Sequence, residues 1–218
     1  MRRATVGVVS LLAGLAPWPA AGQHLTIGPQ VALADYREVA SGLRYNGTGF
    51  GAAATARRDK LSVEGSVVRF TFDPSSGSTA TQGFTATQVD AWVAYAVAAY
   101  ASVEVGVLHR SVDPEFDAQA VGAVRVGARS SYDLGPGATV SFRADYLAAP
   151  KFSGGGQATV SLDLGLGLEV RLAGRLHGTA AYAFDRMNRK TKPGGTGVQE
   201  LDAPIQETTA RVGLALGF

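Results

Sequence analysis

The chain has no cysteine in 218 residues, only two tryptophans, two methionines and three histidines, and just 17% of its side chains carry charge. The lack of cysteine excludes a disulfide-stapled scaffold and any thiolate cluster for zinc or iron. The low charge, with 28 glycines, excludes a coiled coil, and a 46% hydrophobic share argues against disorder. Long apolar runs are missing too. Beyond the N-terminal segment the longest is Ala91 to Ala101, 11 residues, where a membrane helix needs about 20. Any bilayer crossing must therefore use strands. A mean hydropathy of only +0.08 means that the apolar residues are interleaved with polar ones, which is how half-buried strands are written.

What is present begins with an export signature. Arg2 and Arg3 precede the apolar stretch Ala4 to Ala16, then Pro17, Pro19 and the small-residue site Ala20-Ala21-Gly22. Residues 1-22 read as a cleaved signal peptide and 23-218 as the mature domain. Removing Arg2 and Arg3 from 20 basic residues leaves 18 against 18 acidic ones. The mature chain is thus neutral, without the basic excess that nucleic-acid binding needs, and no nucleic-acid partner is expected.

The mature chain alternates. From Ala158 to Arg171, the residues Ala158, Val160, Leu162, Leu164, Leu166, Leu168 and Val170 share one face, and polar residues or glycine fill the other. Fourteen residues exceed the usual strand of about 5 or 6 but suit a tilted bilayer-spanning strand. Similar runs predict ten strands: 25-37, 47-57, 60-72, 86-97, 101-111, 119-131, 138-148, 157-170, 174-186 and 206-218. Tight connections near 57-60, 98-100, 133-137 and 172-174 alternate with longer ones. This pattern predicts an all-β, transmembrane, antiparallel up-and-down β-barrel of ten strands, with eight as the alternative. Three features strain it. Pro29 lacks a ladder donor, so the first regular strand is expected to begin after it. The turn near Ala98 has no Gly, Pro, Asn or Asp. Between Leu61 and Phe72 the apolar phase slips from Leu61, Val63 and Val67 to Val68, Phe70 and Phe72, which predicts a bulge or a strand rising above the membrane.

At the C-terminus, Ala210, Val212, Leu214, Leu216 and the final Phe218 form an apolar stripe opposite Arg211, Gly213, Ala215 and Gly217. This stripe resembles the terminal β-signal of bacterial outer-membrane β-barrel proteins, and the barrel pattern is similar to that class over nearly the whole mature chain. The resemblance implies an outer-membrane location and outer-membrane lipid as surroundings. It also implies recognition of Val212, Leu214, Leu216 and Phe218 by the barrel assembly machinery.

If the apolar parity faces lipid, the lumen receives seven acids, Asp90, Glu104, Asp145, Asp163, Glu169, Asp185 and Glu207. It also receives seven bases, Arg110, Arg125, Arg129, Arg143, Arg171, Arg175 and Arg211. Unpaired charge in so narrow a space is costly, so the balance predicts an ion-paired plug, with Glu169 meeting Arg175 across a turn. Two interfacial aromatic belts are expected: Tyr100, Tyr132 and Phe218 at the short-turn end, and Phe72, Tyr146, Tyr182 and Phe184 toward the long loops.

Catalytic signals are sparse. His109-Arg110-Ser111 resembles in miniature the His and Ser of outer-membrane lipid A deacylases, with Glu115 as a candidate orienting acid. Neither His109 nor His177 has an Asp two residues before it, so the Asp-His pair of the omptin proteases is not matched. Asp113, Glu115 and Asp117 read as solvated loop charge, and His24, His109 and His177 lack zinc-ligand spacing. No cofactor and no metal are expected. The sequence therefore predicts a non-enzymatic monomer with a structural, surface-interaction or limited-transport role. A narrow small-solute diffusion channel is the alternative, and a lipid-modifying enzyme the third reading.

Overall fold

The computed structural model describes residues 23–191 and 201–218; the expected signal peptide, 1–22, lies outside the described residues. Ten long antiparallel strands are present among them. They are β1 (Gln23–Glu38), β2 (Leu43–Arg58), β3 (Leu61–Pro74), β4 (Phe84–Ala98), β5 (Ala101–Val112), β6 (Val121–Gly135), β7 (Ala138–Phe152), β8 (Gln157–Ala173), β9 (Leu176–Thr191) and β10 (Ile205–Gly217). A two-residue strand, Leu201–Asp202, adds to the end of β9. Each long strand pairs with its chain neighbour, and β1 pairs with β10, so the sheet closes on itself without edges. The expected ten-stranded barrel is what the chain forms.

The strands turn tightly at Asp59–Lys60, Ala99–Tyr100, Pro136–Gly137 and Gly174–Arg175, and the remaining connections gather at the other end. The turn at Ala99 forms without a conventional turn residue, helped by an irregular register between Ala96 and Ala98. β1 does not wait for Pro29. It begins at Gln23 and pairs with β2 without a break, Pro29 lying opposite Ala52. Toward β10 the pairing lapses at Gly28 and Pro29 and resumes in the same register, because proline has no donor to offer on that side. A Cβ on Gly28 would stand 1.7 Å from the Leu214 carbonyl oxygen, so the closing seam requires glycine there.

The phase slip in β3 is not a bulge. Its register to β2 and β4 is continuous from Leu61 to Phe72. Leu61, Val63 and Val67 point outward, whereas Val68, Phe70 and Phe72 point inward and are fully buried, with Arg69, Thr71 and Asp73 now outward. β3 therefore continues beyond the apolar belt, and its two faces exchange character where lipid gives way to water. The same exchange occurs between Leu33 and Asp35 on β1, between Phe50 and Thr48 on β2, and between Phe184 and Arg186 on β9.

Above that level the barrel has a core of its own. Tyr36, Tyr45, Phe70, Phe72, Phe84, Leu108, Leu147, Phe152, Met187 and Ile205 pack into one cluster, with Phe72 and Phe84 stacked at 4.8 Å. Phe116, in a 3₁₀ turn over Pro114–Gln119, stacks on Phe84 at 5.2 Å and covers the cluster from the loop side. Phe72 is thus a core residue and not part of the outer aromatic belt. Of the other expected anchors, Tyr100 and Tyr132 stack outside at 5.4 Å, and Phe218, Tyr146 and Tyr182 are exposed.

Candidate functional site: a layered lumen

Below the aromatic core, inward-facing positions of the strands place charge at mid-barrel. Cross-strand register sets Asp145 opposite Asp163, Asp163 opposite Asp185 and Asp185 opposite Glu207, a row of four carboxylates on adjacent strands. Like charges directly opposed repel; Arg110 of β5 and Arg125 of β6 reach this row, and Arg143 lies 3.9 Å from Asp145. The Arg125 guanidinium lies 2.6 Å from Asp90, 2.8 Å from Asp163 and 3.6 Å from Asp185. Arg211 reaches Asp90 at 2.8 Å and donates to the Ser66 hydroxyl at 2.9 Å. Arg110, fully buried, pairs with Glu207 and donates to Gln88 Oε1 at 2.7 Å.

A second cluster adjoins the first. Arg143 meets Glu64 at 3.0 Å and Glu104 at 3.2 Å, and Arg129 pairs with Glu64 and lies 3.6 Å from Glu104. Trp92 joins the two clusters. Arg143 and Arg125 lie over its ring at 4.1 and 4.7 Å, and its Nε1 donates to Asp145 at 3.2 Å. A cation against an aromatic face gains stability that grows as water is excluded.

The structure unites Asp90, Glu104, Arg110, Arg125, Arg129, Arg143, Asp145, Asp163, Asp185, Glu207 and Arg211 in one network. Three expected members are elsewhere. Glu169 sits at the short-turn rim, 3.0 Å from His177 Nδ1 and 3.3 Å from Arg57. Arg171 and Arg175 are exposed at that rim and form no ion pair among the described residues. The expected Glu169–Arg175 contact does not form, because the register puts Thr179 opposite Glu169. Glu64 enters in their place. It was legible from Ser62, Glu64 and Ser66 alternating with Leu61, Val63 and Val67, and the phase slip obscured it. The plug thus holds seven carboxylates, Glu64 included, against five guanidiniums rather than the even balance expected.

From the short-turn end a cavity of about 510 Å³ leads inward between Thr55, Ser62, Ser102, Ser131, Ser141 and Thr179 to Glu64, Arg143, Arg211 and Asp163. None of the aromatic core residues lines it. The lumen is therefore a polar vestibule ending blindly at a charged layer, with an apolar layer beyond.

The outer residues that suggested chemistry lie outside the lumen network. His109 is exposed on the outer face of β5, the intervening Arg110 is buried in the lumen, and the Ser111 hydroxyl donates to the Thr87 carbonyl at 3.4 Å. In the loop after β5, the Asp113 carboxylate accepts from the Thr85 hydroxyl at 2.7 Å and the Thr85 amide at 2.9 Å. Those two hydrogen bonds hold its pKa below the ordinary carboxylate value.

No protein-family model matches the chain, and no curated protein matches its sequence. Solved structures do match. The outer membrane protease OmpT of Escherichia coli superposes with a TM-score of 0.52 at 10% identity, covering 90% of this chain and 96% of that one. Ail, the attachment invasion locus protein of Yersinia pestis, gives 0.43 at 16% identity over 91% and 100%. The outer membrane protein OprG of Pseudomonas aeruginosa gives 0.42 at 11% identity over 91% and 96%. These are bacterial outer-membrane proteins, and the fold this chain shares with OmpT is the closed antiparallel β-barrel, here of ten strands. At these identities the likeness concerns fold alone.

Proposed function

We propose that the chain is a non-conducting, non-enzymatic monomer of the outer membrane whose role is exercised at its long-loop end. In this reading the N-terminal segment directs export and is cleaved. The assembly machinery reads Val212, Leu214 and Leu216, outward on β10, and the exposed Phe218 just after it. The carrying observation is the stacking of two different blocks across one lumen: an ion-paired layer around Arg125 and Trp92, then an aromatic layer around Phe72 and Phe84. A diffusion channel needs continuous polar wall from end to end, and here the polar wall stops at the vestibule floor. The aromatic layer instead makes a rigid platform that lifts the strand ends clear of the bilayer. Outward positions there are polar, including Arg37, Asn46, Arg69 and Asp73. Such a platform suits contact with other surface components. Liposome swelling with small sugars tests this reading: entry at the rate of protein-free vesicles is expected, and porin-like entry would favour the channel.

A further inference from the structure

The outer wall carries a feature that a closed lumen does not explain. At the level where lipid-facing residues give way to polar ones, Arg186 of β9 pairs in register with Gln206 of β10, Gln206 with Arg37 of β1, and Arg37 with Arg44 of β2. All four are on the outward parity, and the three arginines are exposed. Strands lie about 4.8 Å apart, so the row spans about 14 Å. It crosses the β1–β10 pair that closes the barrel. Arg37 and Arg44 stand directly opposite one another, an unfavourable placement for like charges unless an anion joins them.

The nearby protein groups do not supply that anion in full. Asp35 pairs with Arg37 at 2.6 Å on its own strand. Asp73 faces outward on β3, opposite Asn46, and makes no ion pair among the described residues. Arg186 donates to the side chain of Asn188, a neutral partner, and Arg44 has no side-chain ion pair among the described residues. Immediately below, Phe184, Thr208, Asp35 and Asn46 form the next row. The lipid-facing stripe of Tyr182, Ala210, Leu33, Val212 and Val31 follows.

We propose that Arg186, Gln206, Arg37 and Arg44 form a seat for the phosphate-bearing headgroup of a lipid in the adjoining leaflet, bridging the closing seam. Guanidinium forks match phosphate oxygens bidentately, as those of Arg44 and Arg186 are placed to do. Arg37, whose Nε and Nη2 donate to Asp35 at 2.6 and 2.9 Å, adds its charge and its remaining Nη1, and Gln206 adds an amide donor between them. The apolar stripe directly beneath receives the acyl chains, which identifies the occupant as an amphiphile and not a soluble polyanion. Because the headgroup contacts β9, β1 and β2 together, its binding favours the closed barrel by mass action.

The test uses the full-length mature protein in nanodiscs of phosphatidylcholine, alone or doped with cardiolipin as a two-phosphate probe. The midpoint of heat-modifiable gel migration is the readout. Cardiolipin is expected to raise the midpoint by several degrees in the native protein. A combined Arg37→Ser, Arg44→Ser, Arg186→Ser variant should lose most of that increment. The pair Arg69→Ser, Lys151→Ser, which removes outward charge away from the row, should keep it. Milder Arg→Gln versions of the three changes provide the same comparison if the serine variant does not assemble. Equal increments in row and off-row variants, or none in the native protein, would overturn the proposal. So would an equal rise from pyrophosphate added to undoped nanodiscs, because the acyl chains would then play no part.

Discussion

Asp113 shows how one side chain can fasten a loop. Two hydrogen bonds from Thr85 stabilise its charged form, so its pKa is lower in the folded chain than in the unfolded one. A depressed carboxylate contributes stability that is present above the unfolded pKa, about 3.9, and lost as pH falls through the folded value. The protection of the Thr85 amide, its exchange rate measured against the intrinsic rate at the same pH, should therefore fall specifically at acid pH. Asp113→Ala should show low protection already at neutral pH, and protection indifferent to both would remove the fastening role. Glu64 and Arg175 mark the limit of residue-level reading. Both satisfied or failed the alternation rule by parity alone, but parity says nothing of depth, and depth decides that Glu64 meets Arg143 while Arg175 meets water.

At the scale of the strand, β8 was readable because lipid faces it along most of its length. Its Leu162, Leu164, Leu166 and Leu168 are outward and at least 40% exposed. Leu164→Arg should destabilise the barrel by about 2–4 kcal/mol in a bilayer, since a cation would then face hydrocarbon. Equilibrium unfolding in vesicles measures this, and an unchanged stability would reverse the assignment of faces. β3 is the strand rising above the membrane, the second of the two readings its sequence allowed, and it crosses two solvents. Its apolar residues face lipid below Val67 and the core above Val68, which in sequence looks like a change of phase although the strand is regular. The seam depends on backbone approach: Gly28→Ala would force a Cβ against the Leu214 carbonyl, whereas Gly65→Ala meets nothing closer than 3.9 Å. The first should abolish the compact heat-modifiable form, and the second should leave it intact.

For the molecule as a whole, strand number, closure and the mid-barrel charges were legible because they follow from a period of two applied to the whole chain. The aromatic layer was not. Tyr36, Phe70, Phe84, Leu147 and Met187 come from five strands, and only barrel closure and shear bring them to one height. That layer changes what removal of charge should do. Replacing Arg125, Arg143 and Arg211 by Ser leaves acids uncompensated and admits water to the middle of the lumen, yet the aromatic block above it remains.

Planar-bilayer conductance of four proteins measures this directly: the native chain; the triple arginine variant; a variant with Phe72, Phe84 and Leu147 changed to Ser; and the combination of both sets. Circular dichroism and heat-modifiable migration establish that each has assembled. Two blocks in series predict near-baseline current for the native chain and for either single set, with cation-selective current appearing only in the combination. A steady open-channel current in the native chain, or full opening by the arginine changes alone, would contradict the layered closure.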